Sequence, residues 1–330
     1  MKGLDLERLR AYLGSERELT GRMFAGGRSN LTYAITDGDQ RWVLRRPPLG
    51  HVLPTAHDMA REHRVLEALG KAGFPAPRPM LLCTDPAVIG APFYLMEQVD
   101  GKIYRDEAEL EALGAPAMNA LALSLVDTLA ELHGLDPAAI GLADFGRPEG
   151  FNARQVHRWK KQLDASRSRE VPGIEELHAR LAVDIPAGGP GTVVHGDYRL
   201  DNVLIGPRMQ INAVLDWEMS TLGDPLSDVA LMLVYAGLPL QVKDGRGVVP
   251  LAVPGHPTLP EIAARYAERS GRDVSDLHWY VGFAAFKLAV ILEGVHYRYV
   301  QGQTVGTGFD TIGGLVGPLV MRGHEALEGN

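Results

Sequence analysis

The pattern of apolar and polar positions divides the chain into a strand-rich first part and a helix-rich second part. In the first part, five short runs have the composition and the flanking turn signals of β-strands; they lie at 23–24, 31–36, 41–46, 75–85 and 91–101. Residues 5–14 and 57–73 instead place apolar side chains three and four positions apart, which indicates helices. We therefore expect residues 1–100 to form a small sheet with one inserted helix.

Beyond Gly101 the apolar spacing becomes helical. Amphipathic or buried helices are predicted at 120–136, 154–170, 229–237 and 283–300. Two short strands, 193–198 and 211–217, are predicted to flank a turn-rich segment. The Gly- and Pro-rich segment 239–257 is predicted to be an exposed loop. The expected organisation is an N-terminal lobe at 1–100 and a mainly helical C-terminal lobe at 101–330.

Composition narrows the class of protein without identifying it. The 330 residues are 45% hydrophobic, enough for a substantial core, and their net charge of -8 argues against a general nucleic-acid binder. The single cysteine, Cys83, has no partner for an internal disulfide. No uninterrupted apolar run reaches the roughly 18 residues of a membrane span, and the N-terminus is too charged for a signal peptide. We expect a soluble, cytoplasmic protein that binds neither nucleic acid nor membrane.

The segment from Thr192 to Asp228 carries the most specific chemical pattern in the sequence. Asp197 precedes Asn202 by five residues, and Asp216 stands at the end of the apolar run that follows. Phosphoryl transfer from ATP needs such a set, because one carboxylate orients a hydroxyl while an amide oxygen and a second carboxylate bind Mg²⁺. The alternative is that Asp197 and Asn202 form only an Asx turn between strands. The additional placement of Asp216 favours a kinase.

The motifs HGDYRLDN and VLDWEMSTLGDPLSD resemble those of the aminoglycoside-phosphotransferase-type branch of the protein-kinase-like fold. Within that branch, WVLRRPP and LDWEMSTLGDPLSDVA are most similar to phosphotransferase domains joined to acyl-CoA dehydrogenases. The resemblance extends from the turn near residue 26 to Asp228. It implies an α+β, bilobal kinase-like fold, with a small β-sheet lobe that contains one helix and a larger, mainly helical lobe. It also implies ATP and Mg²⁺ as cofactors.

The resemblance assigns roles within the second lobe. It makes Asp197 the catalytic base and Asn202 and Asp216 the Mg²⁺ ligands, while His195 supports the loop. Glu218 stands where protein kinases have the glycine of Asp-Phe-Gly, and it would either join the outer shell of the metal or face solvent. Two further aspartates are expected to be structural, one as a helix cap and one as a brace for the catalytic loop: Asp224 and Asp228.

In the first lobe the resemblance implies a nucleotide site. Backbone N–H groups of one turn would cover the phosphates; the turn consists of Gly26, Gly27, Arg28, Ser29 and Asn30. Arg45 stands where the family usually has a phosphate-pairing lysine, with Glu62 as its ion-pair partner. Strand alternation sends Arg45 and Arg46 to opposite faces, so only one enters the cleft, and the alternative is an exposed pair of strand-end arginines. Adenine would bind the connector between the lobes through Met96, Glu97 and Val99.

The acceptor site is marked only by charge and by aromatic residues. Residues 151–170 carry six Lys/Arg against two Asp/Glu. Such a helix would attract an anionic acceptor, although many charge runs are solvated faces, and that alternative stays open. Arg199 follows the predicted base closely enough to touch an acceptor or the transferred phosphate. The candidates for the acceptor pocket are Arg199, Trp159, Glu293 and His296, together with Trp279, Tyr280 and Tyr297.

These observations predict an ATP- and Mg²⁺-dependent small-molecule O-phosphotransferase. The resemblance points to a hydroxyacyl-CoA or a related hydroxy acid as the acceptor, and to a functional link with an acyl-CoA dehydrogenase. One alternative is an aminoglycoside or amino-sugar kinase, although a polycationic acceptor fits the basic segment poorly. Another is a catalytically weak, nucleotide-binding pseudokinase, which Arg45 and the altered Asp-Trp-Glu motif leave open.

Overall fold

The structure is a computed structural model that describes residues 1, 3–24, 30–49, 57–105, 107–238, 250–304 and 309–329. Its first part is a five-stranded antiparallel sheet with the strand order β1-β2-β3-β5-β4. The strands are β1 (Thr20–Met23), β2 (Leu31–Thr36), β3 (Arg41–Arg46), β4 (Pro79–Cys83) and β5 (Phe93–Glu97). Two helices accompany them, α1 (Leu6–Leu13) and α2 (Met59–Lys71). The predicted sheet with one inserted helix is confirmed.

The two helices cover opposite faces of this sheet. Side chains alternate along a strand, so Leu44 and Leu95 pack with Leu9 of α1, and their neighbours Val43 and Tyr94 face the larger core that α2 joins. Both helices begin at an aspartate whose carboxylate accepts a backbone N–H of the first turn, at 3.1 Å in α1 and 3.0 Å in α2. The central strands β3 and β5 are therefore covered on both sides, whereas the edge strand β1 is exposed.

The second part is mainly helical. Its helices are α3 (Glu107–Glu111), α4 (Ala115–Gly134), α5 (Phe151–Ser166), α6 (Ile174–Val183), α7 (Leu226–Ala236), α8 (Leu259–Ser270), α9 (Leu277–Val300) and α10 (Val316–Leu327). Its strands form two separate pairs, β6 (Thr192–Val194) with β9 (Thr221–Gly223) and β7 (Val203–Ile205) with β8 (Ile211–Val214). The α+β arrangement, with an N-terminal antiparallel sheet and a mainly helical C-terminal part, is as predicted.

Several elements of the second part differ from the prediction. Helices α3, α6, α8 and α10 and strands β7 and β9 were not predicted, and β7 lies in the segment that was predicted to be a turn. Thr258 and Glu261 form a capping box, which is a local sequence signal for the start of α8. The strand predicted at 193–198 ends at Val194, because the next two backbone N–H groups bind a side chain and cannot continue a ladder. Residues 250–257 are not simply exposed, since Pro250 and Val253 are buried; residues 239–249 lie outside the described residues.

Helix α9 is the centre of the second part. It packs against α5, α6, α7 and α10. Among the described residues it is the one helix long and apolar enough to cross a membrane by length and composition, but 61% of its most apolar window is buried inside the protein. Its apolar character is that of a core helix.

A short connector joins the two parts. The backbones of Lys102 and Ile205 exchange hydrogen bonds of 2.9 Å in both directions, so the chain that leaves β5 is attached to β7. A Cβ added to Gly101 would lie 2.9 Å from Leu204 Cβ, which explains why the close approach needs glycine here. This attachment places the sheet next to the loops that follow β6 and β8.

Candidate active site

The loop after β6 holds Asp197 through its carboxylate. Tyr235 of α7 donates its hydroxyl to Asp197 Oδ1 at 2.8 Å, and Asn202 Nδ2 donates to Asp197 Oδ2 at 3.0 Å and to the Asp197 carbonyl at 2.9 Å. Burial raises the pKa of Asp197, and the Arg199 guanidinium and the Tyr235 hydrogen bond oppose that rise. Because a residue of a distant helix orients the carboxylate, Asp197 is more than the end of a local turn.

His195 and Asp228 fix the backbone of this loop. Asp228 is 1% exposed and accepts the backbone N–H groups of His195 at 2.6 Å and Gly196 at 2.8 Å. His195 Nδ1 accepts the Asp197 N–H at 3.2 Å, and its Nε2 donates to the Leu215 carbonyl at 2.8 Å. These two bonds require the proton on Nε2, so the imidazole is a structural link here and not a proton carrier. Asp228 thus occupies the bracing position expected for it.

Replacing Asp228 with asparagine is expected to destabilise the fold by about 2–4 kcal/mol, because an amide NH₂ would face a buried backbone donor. Burial alone would raise the pKa of Asp228, but hydrogen bonds from His133 and from the Gly196 N–H hold it below its ordinary value of 3.8. A depressed pKa stabilises the fold above the unfolded value, and that contribution is lost as the pH falls through the folded value. Urea unfolding should therefore show a difference at neutral pH that shrinks below about pH 4.

Asp276→Asn is the matched control for this variant, since the Asp276 side chain makes no capping bond to α9. It should unfold at the wild-type urea concentration. Equal stability of the Asp228 and Asp276 variants at neutral pH would show that Asp228 is not the brace of the loop.

A cluster of charged side chains lies where the sheet meets the loop after β8. Arg45 forms a salt bridge with Asp216, its Nη2 lies 3.4 Å from Glu218 Oε2, and its Nε lies 2.8 Å from Glu62 Oε2 without pointing at that oxygen. Asn30 Nδ2 donates to Glu62 at 3.0 Å and to Glu218 at 2.9 Å. The predicted Arg45–Glu62 contact is present, and Glu218 belongs to this cluster instead of facing open solvent.

Burial shifts the titration of this cluster. It raises the pKa of Glu62 to about 7, although Arg45 and the hydroxyl of Tyr94, which donates to Glu62 at 2.8 Å, oppose the rise. Burial disfavours the charged form of Arg45, yet Glu62 and the other carboxylates raise its pKa above the ordinary value. Arg46 points to the opposite face, where it donates to the carbonyls of Gly3 and Ile89. Both arginines are buried, so an exposed pair is excluded.

Asn202 and Asp216 have the chemistry of a Mg²⁺ site. The bonds from Asn202 to Asp197 use its amide nitrogen, so its amide oxygen remains as the atom that can bind a metal. Asp216 stands in the left-handed backbone region at φ 67°, and the Leu215 N–H donates to the Asn202 carbonyl at 2.8 Å, which ties the two loops together. Carboxylate and amide oxygens suit Mg²⁺, which keeps water and phosphate ligands besides a few protein ones. The residues present therefore fit the ion.

The predicted adenine contacts lie at the end of β5. Met96 is buried in the core, and the Glu97 N–H donates to the Arg78 carbonyl at 3.0 Å. That N–H is thereby committed inside the protein, so an adenine would have to use other backbone groups of the connector, in which Val99 is half-buried. The roles of these residues stay predictions. The same holds for the phosphate-covering turn, in which Asn30 is described, whereas Gly26, Gly27, Arg28 and Ser29 lie outside the described residues.

A cavity of about 640 Å³ opens between the two parts beside the loop that carries Asp197. Its wall includes Glu62 and Glu218 on the cluster side and Gly196 and Asp228 on the loop side. Helices α5 and α9 form the far wall, with side chains at helical spacing along each. The basic residues of the wall are Arg61, Arg147, Arg154, Arg158 and Lys287.

The candidates for acceptor contacts divide into two groups. Trp159 and Tyr280 line the cavity. Arg199 does not: it forms a salt bridge with Asp201, stacks 4.6 Å from the centre of the Tyr235 ring, and lines a separate small pocket of about 40 Å³. Burial opposes its charge, but the bond to Asp201 raises the pKa of Arg199 above the ordinary value. Asp201, to which the sequence patterns assigned no role, is therefore the salt-bridge partner of Arg199.

The remaining acceptor candidates lie away from the cavity, and their predicted placement is corrected. Glu293 is fully buried and accepts from Ser168 Oγ at 2.9 Å and from Arg169 Nε at 3.1 Å, so it anchors the chain that follows α5. His296 packs against Gly313. Trp279 stacks on Phe283 and donates to a backbone carbonyl of α6, and Tyr297 is also absent from the cavity wall. Each residue lies on α9, but off the stretch of its surface that faces the cavity.

Asp224 is structural, though not as the simple helix cap expected. Its Oδ1 accepts the Leu226 N–H at 3.1 Å, while Pro225 occupies the cap position itself. Its Oδ2 accepts from the Tyr280 hydroxyl at 2.6 Å and from Asn152 Nδ2 at 3.2 Å. Asp224 thereby joins α5, α7 and α9 below the cavity.

Two residues that the structure brings to the site were not predicted from the sequence. Tyr235 orients Asp197, and no local signal pointed to it. Lys287 lies in the cavity wall, and its signal was available, because it is the one charged residue in the run WYVGFAAFKLAVIL. A lone charge within an apolar helix indicates either a buried ion pair or a site.

A family model and curated proteins match this chain over most of its length. A model described as "APH: Phosphotransferase enzyme family" matches residues 20–278. "Acyl-CoA dehydrogenase family member 11" of Gallus gallus is 37% identical over 315 residues, which are 93% of this chain and 40% of that protein. The Homo sapiens protein of the same name is 35% identical over 334 residues, 97% of this chain and 43% of that protein. The chain thus spans about two fifths of the length of these curated relatives.

Solved structures agree with this result. A "putative aminoglycoside phosphotransferase" from Ralstonia eutropha JMP134 superposes with a TM-score of 0.82 at 31% identity and covers 99% of both chains. The aminoglycoside phosphotransferase APH(4)-Ia, in a ternary complex with AMP-PNP and hygromycin B, superposes with a TM-score of 0.64 at 15% identity, covering 98% of this chain and 97% of that one. At that identity the second likeness concerns the fold alone.

Proposed function

The chain belongs to the APH phosphotransferase enzyme family, as its sequence motifs predicted, and we propose that it uses ATP and Mg²⁺ to phosphorylate a hydroxyl group of an anionic small molecule. The family and the kinase-like fold make it a small-molecule kinase with a hydroxyl acceptor. The identity of the nucleotide, the metal and the acceptor is our proposal. The ATP-analogue complex of a distant relative of the same fold supports the choice of nucleotide.

One observation carries this proposal: a half-buried, oriented carboxylate directly follows Gly196 of the cavity wall, and a charged cluster reaches the same wall through Glu62 and Glu218. Asp197 is oriented by Tyr235 and Asn202, and Asp216 is close enough to raise its pKa further. Two carboxylates placed together without a shared proton are electrostatically costly. A divalent cation would relieve that cost and could bind the phosphates at the same time, which is why the arrangement suits phosphoryl transfer.

The residues then act in a defined order. The acceptor hydroxyl donates to Asp197, its oxygen forms the bond to the γ-phosphorus, the bridging P–O bond of ATP breaks, and the proton passes to Asp197 as ADP leaves. Asn202 and Asp216 would hold Mg²⁺, which supplies positive charge at the phosphates when bound. Arg45, held by Glu62, would pair with a phosphate group through its guanidinium. Asp228 keeps the loop backbone in place throughout.

For the acceptor we propose a hydroxyacyl-CoA or a related hydroxy acid. The names of the relatives and the five basic side chains of the cavity wall support this choice. Aminoglycosides are the acceptors of some structural neighbours by name, so an aminoglycoside is the second candidate. A polycation would meet the basic wall unfavourably, which ranks it lower. A pseudokinase is disfavoured because the bonds that orient Asp197 are intact.

The test is ADP release with MgATP across a panel of hydroxyacyl-CoA thioesters, free hydroxy acids and kanamycin. We expect turnover of at least one anionic hydroxy compound and little with kanamycin, because the basic wall repels a polycation. Omitting Mg²⁺ should abolish the rate. Nucleotide binding without turnover of any acceptor at any Mg²⁺ concentration would contradict the kinase proposal, and efficient use of kanamycin alone would contradict the acceptor proposal.

A further inference from the structure

Lys287 is an unusual residue for the centre of a core helix. It lies in the stretch of α9 that also presents Tyr280, Phe283 and Ala284 to the cavity. Its Nζ donates to the Gly196 carbonyl at 3.2 Å, directly before the predicted base. Burial lowers the pKa of Lys287, although Asp228 and Asp197 oppose that effect. A half-buried ammonium group therefore stands in the cavity wall, bonded to the residue that precedes Asp197.

In the part of the chain that the structure describes, no carboxylate lies within salt-bridge distance of this ammonium group. Among the described residues, neither Lys287 nor Arg158 forms a salt bridge. The two cations are near each other, since Arg158 lowers the pKa of Lys287 and both lie 5.7 Å from the centre of the Trp159 ring. The ring offers each of them a modest cation–π attraction but does not neutralise either charge.

Three other basic residues, one on α5 and two directly after it, form salt bridges. Lys160 forms salt bridges with Asp164 at 2.6 Å and Glu175 at 3.5 Å. Arg167 pairs with Glu175, and Arg169 with Glu293. These three cations are paired with carboxylates, whereas Arg158 on the cavity side of α5 and the exposed Lys161 are not among the salt bridges of the described residues. Of these two side chains, only Arg158 lines the cavity.

The acidic residues of the cavity wall cannot neutralise these cations either. Asp58 caps α2, Glu62 and Glu218 surround Arg45, and Asp228 is bonded to the loop backbone. Each of these carboxylates is therefore bonded to a group of the first part or to the backbone of the loop after β6. The wall formed by α5 and α9 therefore carries two positive charges that have no salt-bridge partner among the described residues, which favours an anion in the adjoining space.

We infer that Lys287 and Arg158, on either helix beside the Trp159 ring, form a subsite for an anionic group of the acceptor. This inference rests on the proposed function. An acceptor whose anionic group binds at Lys287 would lie next to Gly196, with the hydroxyl group of the acceptor near Asp197. The anionic group is a carboxylate or a phosphate carried within a short distance of the reacting hydroxyl. Lys287 is thus a specificity-determining residue, and its role differs from that of Arg45, which serves the nucleotide.

The test compares binding of charged and neutral hydroxy compounds to the full chain by calorimetry at low ionic strength. The carboxylate arm uses 3-hydroxybutanoate against 1,3-butanediol, and the phosphate arm uses glycerol 3-phosphate against glycerol. We expect one anionic probe to bind more tightly than its neutral partner, and Lys287→Met to weaken that probe by about 10- to 100-fold without affecting the neutral one. Arg158→Gln, at an exposed position, should weaken the same probe and guards against a folding defect in the first variant.

Lys161→Met is the matched control, because Lys161 is exposed on α5 and does not line the cavity. It should bind every probe as the wild type does. Equal binding of charged and neutral probes, or an unchanged preference in both cavity variants, would overturn the subsite. A variant that loses affinity for ATP instead would assign the cations to the nucleotide and also overturn it. If anion binding depends on Lys287 but no acceptor is phosphorylated, the subsite stands and the proposed function fails.

Discussion

Asp197→Asn is expected to lower the rate constant for phosphoryl transfer by about 10²- to 10⁴-fold, because general-base catalysis by a positioned side chain contributes that much. The substitution changes charge with little change in shape. The new amide oxygen can accept from Asn202, and its NH₂ can donate to the Tyr235 hydroxyl, so both present contacts survive. Affinity for ATP should stay near that of the wild type, since Asp197 is not among the nucleotide contacts.

The measurement is a single-turnover rate with saturating MgATP and the best acceptor of the panel, beside a binding constant for ATP. Asp273→Asn, an exposed aspartate of the second part, is the matched control and should retain the wild-type rate. An Asp197 variant that keeps more than about a tenth of the rate would refute its assignment as the base. A variant with normal rate and weakened ATP binding would place Asp197 at the nucleotide instead.

Asp216→Asn is expected to produce the second large effect, a fall in kcat/KM of about 100-fold or more with a higher Mg²⁺ requirement. An amide binds the hard Mg²⁺ ion less strongly than a carboxylate. The substitution also removes one of the anionic partners of Arg45. Rates measured over a series of Mg²⁺ concentrations separate these effects, because excess metal can restore a weakened metal site but cannot restore a displaced arginine.

Glu218→Gln is the comparison for this variant. It removes a carboxylate from the same Arg45 cluster without touching a predicted metal ligand. We expect its Mg²⁺ dependence to remain close to that of the wild type. If both variants shift the Mg²⁺ dependence equally, Glu218 belongs to the metal site; if neither does, Asp216 is a partner of Arg45 and not a ligand.

The first part of the fold was predictable because its signals are local. Residues 31–36 and 41–46 have the composition of strands and are bounded by turn residues, and β2 and β3 occupy those positions, with side chains that alternate between the two faces of the sheet. The same alternation placed Arg45 and Arg46 on opposite faces, as the structure shows. The prediction that a strand continues beyond Val194 was wrong because the signal there is not local. The backbone N–H groups after Val194 bind Asp228, more than thirty residues away, and no local sequence pattern reveals that bond.

The predicted acceptor residues show that helical spacing alone does not identify which part of a helix lines a cavity. Glu293 and His296 have helical spacing on α9, but they lie beyond the stretch that faces the cavity. Six residues separate Lys287 from Glu293, about 9 Å along a helix axis. Which stretch of a long helix borders a site depends on the elements that pack around it, and the sequence of that helix does not contain this information.

The sequence by itself therefore determined the family, the fold class and the identity of the chemical groups: Asp197, Asn202 and Asp216 in one segment, with Arg45 and Glu62 upstream. Those features are fixed by residue type and by spacing within short stretches. Only the tertiary structure decided that Tyr235 orients the base, that Arg199 is bound by Asp201, and that Lys287 joins Arg158 at the cavity. These contacts join residues far apart in the chain, and their energies depend on burial and on neighbouring charges, which arise only when the helices pack together.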